Sequence, residues 1–205
     1  MKTTLKLLMV LVLALTTFMQ HSSASAASTF KFRDEGAFAF FSSVDGCILT
    51  DVSIFASDSN SQTPPGPGSP SSGTGLFISQ YNLCTGEQLL GAEGFAPLAD
   101  PDFQISGRFE SATLSATVSV FDYVSGNTFD VFVDLTWTGV GSLSREGFKF
   151  RSHLPGCKVH TRFRGTFRSA EVSGTVSDGT TNFTLEPGSG AISLTKGGDV
   201  VIGCN

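Results

Sequence analysis

The chain has 205 residues and carries 13 Lys and Arg against 18 Asp and Glu, a net charge of −5. That length suits one domain with a sizeable core. An acidic balance excludes a domain that binds nucleic acid over its whole surface, which would be basic throughout, and intracellular nucleic acid is not an expected partner.

Lys2 and Lys6 precede an apolar run from Leu7 to Met19, and Ala24-Ser25-Ala26 follows as a small-residue cleavage site. This is the layout of a secretory signal peptide spanning 1–26, so the product is expected to be secreted or extracytoplasmic. The run is shorter than the ~20 apolar residues of a membrane span. No comparable run follows, so no transmembrane segment is expected in the mature chain. Cleavage after Ala26 leaves 179 residues with a net charge of −7.

From Phe30 onward Val, Ile, Thr and Phe alternate with polar residues, and Gly, Asn, Asp and Pro cluster at short intervals. This predicts a single all-β domain over 27–205, an antiparallel β-sandwich or a partly closed β-barrel. Only Glu87 to Leu90 leaves room for a helical turn. Ser59 to Gly75 is rich in Ser, Pro and Gly and reads as a long loop. The strands on either side, 47–57 and 76–84, would face each other at positions whose numbers sum to about 131.

The four cysteines, Cys47, Cys84, Cys157 and Cys204, form an even set in a secreted chain and predict two disulfides. The facing strands favour Cys47 with Cys84, which leaves Cys157 with Cys204. The other connectivities stay open. No C-x-x-C pair supports a zinc ribbon or a thioredoxin site, and no metal or cofactor is expected. Asp58-Ser59-Asn60 and Asp100-Pro101-Asp102 read as loop and turn residues, lacking the ligand series of a calcium loop.

Leu114–Tyr123 and Thr128–Trp137 form the clearest hairpin. Pairing Tyr123 with Thr128 sets Val120 against Val131 and Leu114 against Trp137, leaving one apolar and one wet face. Phe132 lies on the wet face. Residues 107–119 also resemble 165–177 at a constant offset, as a β unit used twice would.

The most polarised segment runs from Arg145 to Arg168, with seven basic residues and one acid, Glu146. The turn Leu154-Pro155-Gly156-Cys157 makes it a hairpin in which His153 faces Lys158, Arg151 faces His160 and Lys149 faces Arg162. Alternation then gathers Lys149, Arg151, His153, Lys158, His160, Arg162 and Arg164 on one exposed face, with Phe148, Phe150 and Phe163 turned inward. Such a face suits a polyanionic extracellular polymer. The competing expectation is that Asp130 and Asp134, on the preceding strand, neutralise it.

The chain has 19 Phe, two Tyr and one Trp. A Phe-packed core around Trp137 is the expectation. No nucleophile elbow, H-E-x-x-H, P-loop or dinucleotide fingerprint is present, so no catalytic residue is assigned. The functional expectation is a secreted non-enzymatic module that binds through the basic hairpin. The alternatives are a structural envelope or matrix component, and a hydrolase of extracellular polysaccharide with dispersed carboxylates. Asn182-Phe183-Thr184 is a glycosylation sequon.

Overall fold

The computed structural model describes residues 28–62, 68–154, 157–184 and 187–202, nearly all of them in strands. The expected signal peptide (1–26) and the expected Cys157–Cys204 bridge lie outside the described residues. The strands are β1 (Ser28–Asp45), β2 (Ile48–Gln62), β3 (Gly68–Asn82), β4 (Glu87–Pro97), β5 (Phe103–Ile105), β6 (Ser111–Asp122), β7 (Thr128–Leu154), β8 (Cys157–Ser177) and β9 (Gly188–Ile202).

They form one sheet in the order β4-β3-β2-β1-β9-β8-β7-β6-β5, and β4 also pairs with β6. The sheet therefore closes into a ring of eight antiparallel strands, with the short β5 attached to β6. The closing pairs are Ala92 with Asp122, Glu93 with Phe121, and Gly94 with Val120. A Cβ on Gly94 would lie 2.3 Å from the Ser119 carbonyl oxygen, so the close approach of the two strands needs glycine there. The chain is thus all-β, as expected, and takes the partly closed ring.

Strand alternation sorts the side chains. On β1, Ala37, Ala39 and Phe41 point into the ring and are buried, while Phe38 and Phe40 point out and are exposed. Val52, Ile54, Leu76, Ile78, Leu114, Val118, Val131, Leu135 and Ile192 complete the lining with Trp137. The Trp137 indole N–H donates to the Phe38 carbonyl at 2.8 Å.

The core is not packed with phenylalanine. Among the described residues only Phe41 and Phe183 are buried Phe side chains, whereas Phe55, Phe77, Phe95, Phe121 and Phe132 are among those exposed on the outside. An eight-stranded ring is just wide enough to be filled by side chains. Ala, branched aliphatics and one Trp fill most of this one, and most of the phenylalanines face outward. An apolar lining with Ser115, Thr117, Ser119 and Asp134 exposed outside is the reverse of a transmembrane barrel.

Other expectations shift in detail. The β6–β7 hairpin pairs Phe121 with Thr128, Val118 with Val131 and Ala112 with Trp137, two residues away from the expected register. The faces survive because a two-residue slip keeps the period. Asp122 causes the slip. Its buried carboxylate accepts the N–H groups of Gly91 (3.1 Å), Val124 (3.0 Å) and Ser125 (3.1 Å), which holds residues 122–127 as a wider loop. Burial alone would raise this carboxyl's pKa; the bonds from Ser125, Val124 and Gly91 outweigh it and hold the pKa below the usual range.

Residues 59–62 and 68–75, expected within a loop, are strand, paired as Asn60 with Pro70 and Ser59 with Ser71. Pro70 is tolerated because β4 pairs with β3 only from Gly73 onward, leaving Pro70 on a free edge. Glu87–Leu90 begins β4 and forms no helical turn. The second halves of the two repeats, on β6 and β8, flank β7 from both sides. Their first halves differ, since Gly107–Phe109 forms a 3-10 turn. The Cys47–Cys84 disulfide is present, with the Cα atoms 5.6 Å apart.

Candidate anion-binding surface

β3, β2, β1, β9, β8 and β7 run on past the ends of β4 and β6 as an open sheet. β7 supplies its longest strand at 27 residues. The expected hairpin register holds throughout: Lys149 pairs with Arg162, Arg151 with His160 and His153 with Lys158.

The orientation, however, is inverted. Between Val140 and Ser144, β7 advances four residues while β8 advances two, from Ser169 to Phe167. An even difference preserves parity, so the odd residues of β7 that line the ring, such as Val133 and Trp137, share a side with Arg145, Lys149, Arg151 and His153. The basic side chains extend the inner surface of the ring beyond its packed part. Phe148 and Phe150 lie on the outer side and are exposed, and the Phe148 ring stacks on Phe163 with centroids 5.3 Å apart.

Pairing to β9 and β1 widens the surface beyond one hairpin. Arg164 pairs with Lys196, and Lys196 with Arg33. Lys149 pairs with Arg162, Arg162 with Gly198, and Gly198 with Lys31. Lys31, Arg33 and Lys196 thus join Lys149, Arg151, His153, Lys158, Arg162 and Arg164, all exposed, with His160 half-buried among them. Lys31 and Arg33 stand more than a hundred residues from the hairpin, so no local charge count groups them with it. Only knowledge that β1 and β9 pair would have.

The expected neutralisation does not occur. Asp130 pairs with Ser119, and Asp134 with Ser115 and Thr175, on the outer side of the ring. Asp134 precedes Lys149 on the same strand by a distance of roughly 50 Å at 3.3 Å per residue. Among the described residues the only ion pair is Arg33 with Glu35. Like charges directly across strands are destabilising.

The other weighed carboxylates serve local structure. Asp102 accepts the Ala99 N–H at 2.9 Å, and Asp58 accepts the Ser72 hydroxyl at 2.9 Å. A shallow hollow of about 220 Å³ lies outside the ring near the β4–β6 closure, lined by Asp51, Phe77, Glu93 and Tyr123 among others. Tyr123 bonds to Glu93, which raises the phenol's pKa. Among the described residues no group of three His, Cys, Asp or Glu side chains is placed to hold a metal ion, and no helix is long and apolar enough to cross a membrane.

No family model matches the sequence, and no characterised protein matches it in sequence. Two solved structures match at low similarity. One is the enduracididine biosynthesis enzyme MppR, complexed with the condensation product of pyruvate and imidazole 4-carboxaldehyde. It is 9% identical over 90% of each chain, with a TM-score of 0.32. The other is an acetoacetate decarboxylase-like enzyme from Sphingomonas wittichii RW1, 11% identical over 88% of this chain and 92% of that one, with a TM-score of 0.29. Both are enzymes, where the expectation was a non-enzymatic binding module. At these TM-scores neither carries a reaction, a substrate or a residue to this chain.

Proposed function

We propose that this protein, exported by its N-terminal signal, recognises an anionic extracellular polymer on the four-strand basic surface of β7, β8, β9 and β1. The reading concerns recognition and assigns no absence of catalysis. The observation that supports it best is the pair of cross-strand cationic rows, Arg33–Lys196–Arg164 and Lys31–Gly198–Arg162–Lys149, with no acid inserted in either. Folding gains nothing from such rows, whereas a bound polyanion would relieve their repulsion.

The dimensions favour a polymer over a single small anion. Arg145 to His153 extends roughly 26 Å along β7, and the four strands span roughly 15 Å across. Neighbouring charges stand within one Debye length, about 8 Å at physiological salt, so they act together. Retention on a heparin column, reversed by salt, is the expected result. The combined changes Lys149→Ser, Arg151→Ser, Arg162→Ser and Arg164→Ser should abolish it. Retention that survives all four would sink the proposal.

A further inference from the structure

Charge in this molecule is divided between two regions. From Asp34 to Ser144 the sequence holds 13 acids and one basic residue, Arg108. Strands β2, β3, β4, β5 and β6 contain no Lys or Arg at all. Apart from Arg168, which lies against Gly139 and the Arg108 carbonyl, the cations of β7, β8, β9 and β1 lie on the open sheet, which β4 and β6 do not reach.

The acid-bearing strands also present an aromatic outer face. One cross-strand row reads Phe40, Ser53, Phe77, Glu93 and Phe121, each paired with the next. Phe77 is 45% exposed, Phe121 43% and Tyr123 59%. The hollow sits among them, with the Asp51 and Glu93 carboxylates at its wall. Asp51 accepts the Ser42 hydroxyl at 2.6 Å, and among the described residues neither carboxylate has a cationic partner. Apolar rings exposed together mark a contact surface. Rings beside uncompensated carboxylates fit a guanidinium or ammonium group, which gains from both the ring face and the charge.

We propose that the occupant of this face is a second copy of the chain, which docks its basic open sheet against the hollow. Charge complementarity selects that occupant: each copy carries the cations that the other copy's acidic aromatic face lacks. The two surfaces are different regions of one molecule, so the contact is head-to-tail and leaves one surface of each kind free at the ends. Assembly therefore continues past the dimer as concentration rises. Polymer and second copy compete for the same cations, but the assembly does not depend on polymer binding.

The test is sedimentation of the mature chain at two salt concentrations, with two face-specific variants. At about 20 mM salt the average mass of the wild type should rise at least about twofold with concentration, and at about 500 mM it should return to the monomer. The acidic-face variant (Asp51→Asn, Glu93→Gln) and the basic-face variant (Lys149→Ser, Arg151→Ser, Arg162→Ser) should each be monomeric alone. Mixed, they should form one-to-one dimers and nothing larger, because each supplies only the surface the other has lost. Wild-type chain that stays monomeric at low salt overturns the inference, whether or not either variant folds. So does assembly that persists in either variant alone, or folded variants that fail to pair. Heparin retention is read separately on wild-type chain, so loss of retention with salt-sensitive assembly intact defeats the polymer reading alone.

Discussion

Asp34 shows how one side chain sets a pH response. It lies on the outer side of β1, between Ser59 of β2 and Thr195 of β9. Burial raises its pKa first and the Asp58 carboxylate second; a bond from the Thr195 hydroxyl opposes them, and Glu35 adds to the rise. A raised folded pKa means that the native state holds this proton more tightly than the unfolded chain does. The resulting stability is fully present below the unfolded value, about 3.9, and is lost as pH rises through the folded value. Asp34→Asn removes the penalty of ionisation and keeps an acceptor for Thr195. The variant should melt a few degrees above wild type at pH 7 and level with it near about pH 3. A thermal melt in which Asp34→Asn is the less stable protein at pH 7 would contradict this account. Asp122 has the opposite shift, because its bonds to the chain outweigh its burial.

At the scale of elements, β2 and β3 are the most instructive pair. Their register runs from Ile48 with Asn82 to Gln62 with Gly68, through a segment whose Ser, Pro and Gly content argues for a loop. Cys47 and Cys84 close the opposite end of the ladder, separated by 37 residues in sequence. A crosslink over that span stabilises by roughly 3 kcal/mol, chiefly by restricting the unfolded chain. Cys47→Ser with Cys84→Ser should lower the stability of the folded chain by about that amount in urea titration. An unchanged midpoint would mean that the ladder alone holds these strands.

That disulfide was legible in the sequence because two short strands on either side of one connection fix the facing positions. The β7–β8 register was legible for the same reason. Which side of that hairpin faces the ring interior was not. Parity has to be carried from Trp137 through the irregularity after Val140, and the apolar character of Phe148 and Phe150 pointed the wrong way. The third and fourth strands of the basic surface were hidden too, since nothing local to Lys31 or Lys196 announces a partner far along the chain. β7 also keeps an unpaired edge beyond Thr138, where β6 ends. Exposed edges invite pairing with other chains, and the Arg145, Lys149 and Arg151 side chains on this one blunt that tendency.

At the scale of the molecule, the ring is two meanders, β1 to β4 and β6 to β9, joined along two seams. One seam is the long β1–β9 pairing, which joins residues as distant as Ala37 and Ile192. The other is the β4–β6 closure, with three residue pairs. Each meander can form from neighbouring strands, and Ala92 and Asp122 at the β4–β6 closure lie only 30 residues apart. The β1–β9 seam is therefore the one that waits until distant parts of the chain have met, and such pairings are slow. The short seam has the fewest bonds to break and should open at a lower free energy than the rest. Amide exchange at Glu93, Gly94 and Phe121 should therefore run ahead of exchange at Val131 to Trp137, and equal protection at both would refute this order. The phenylalanines and carboxylates around the hollow flank the seam, so a copy docked there would slow its exchange. The weakest seam of the ring is then also the one most strengthened by company.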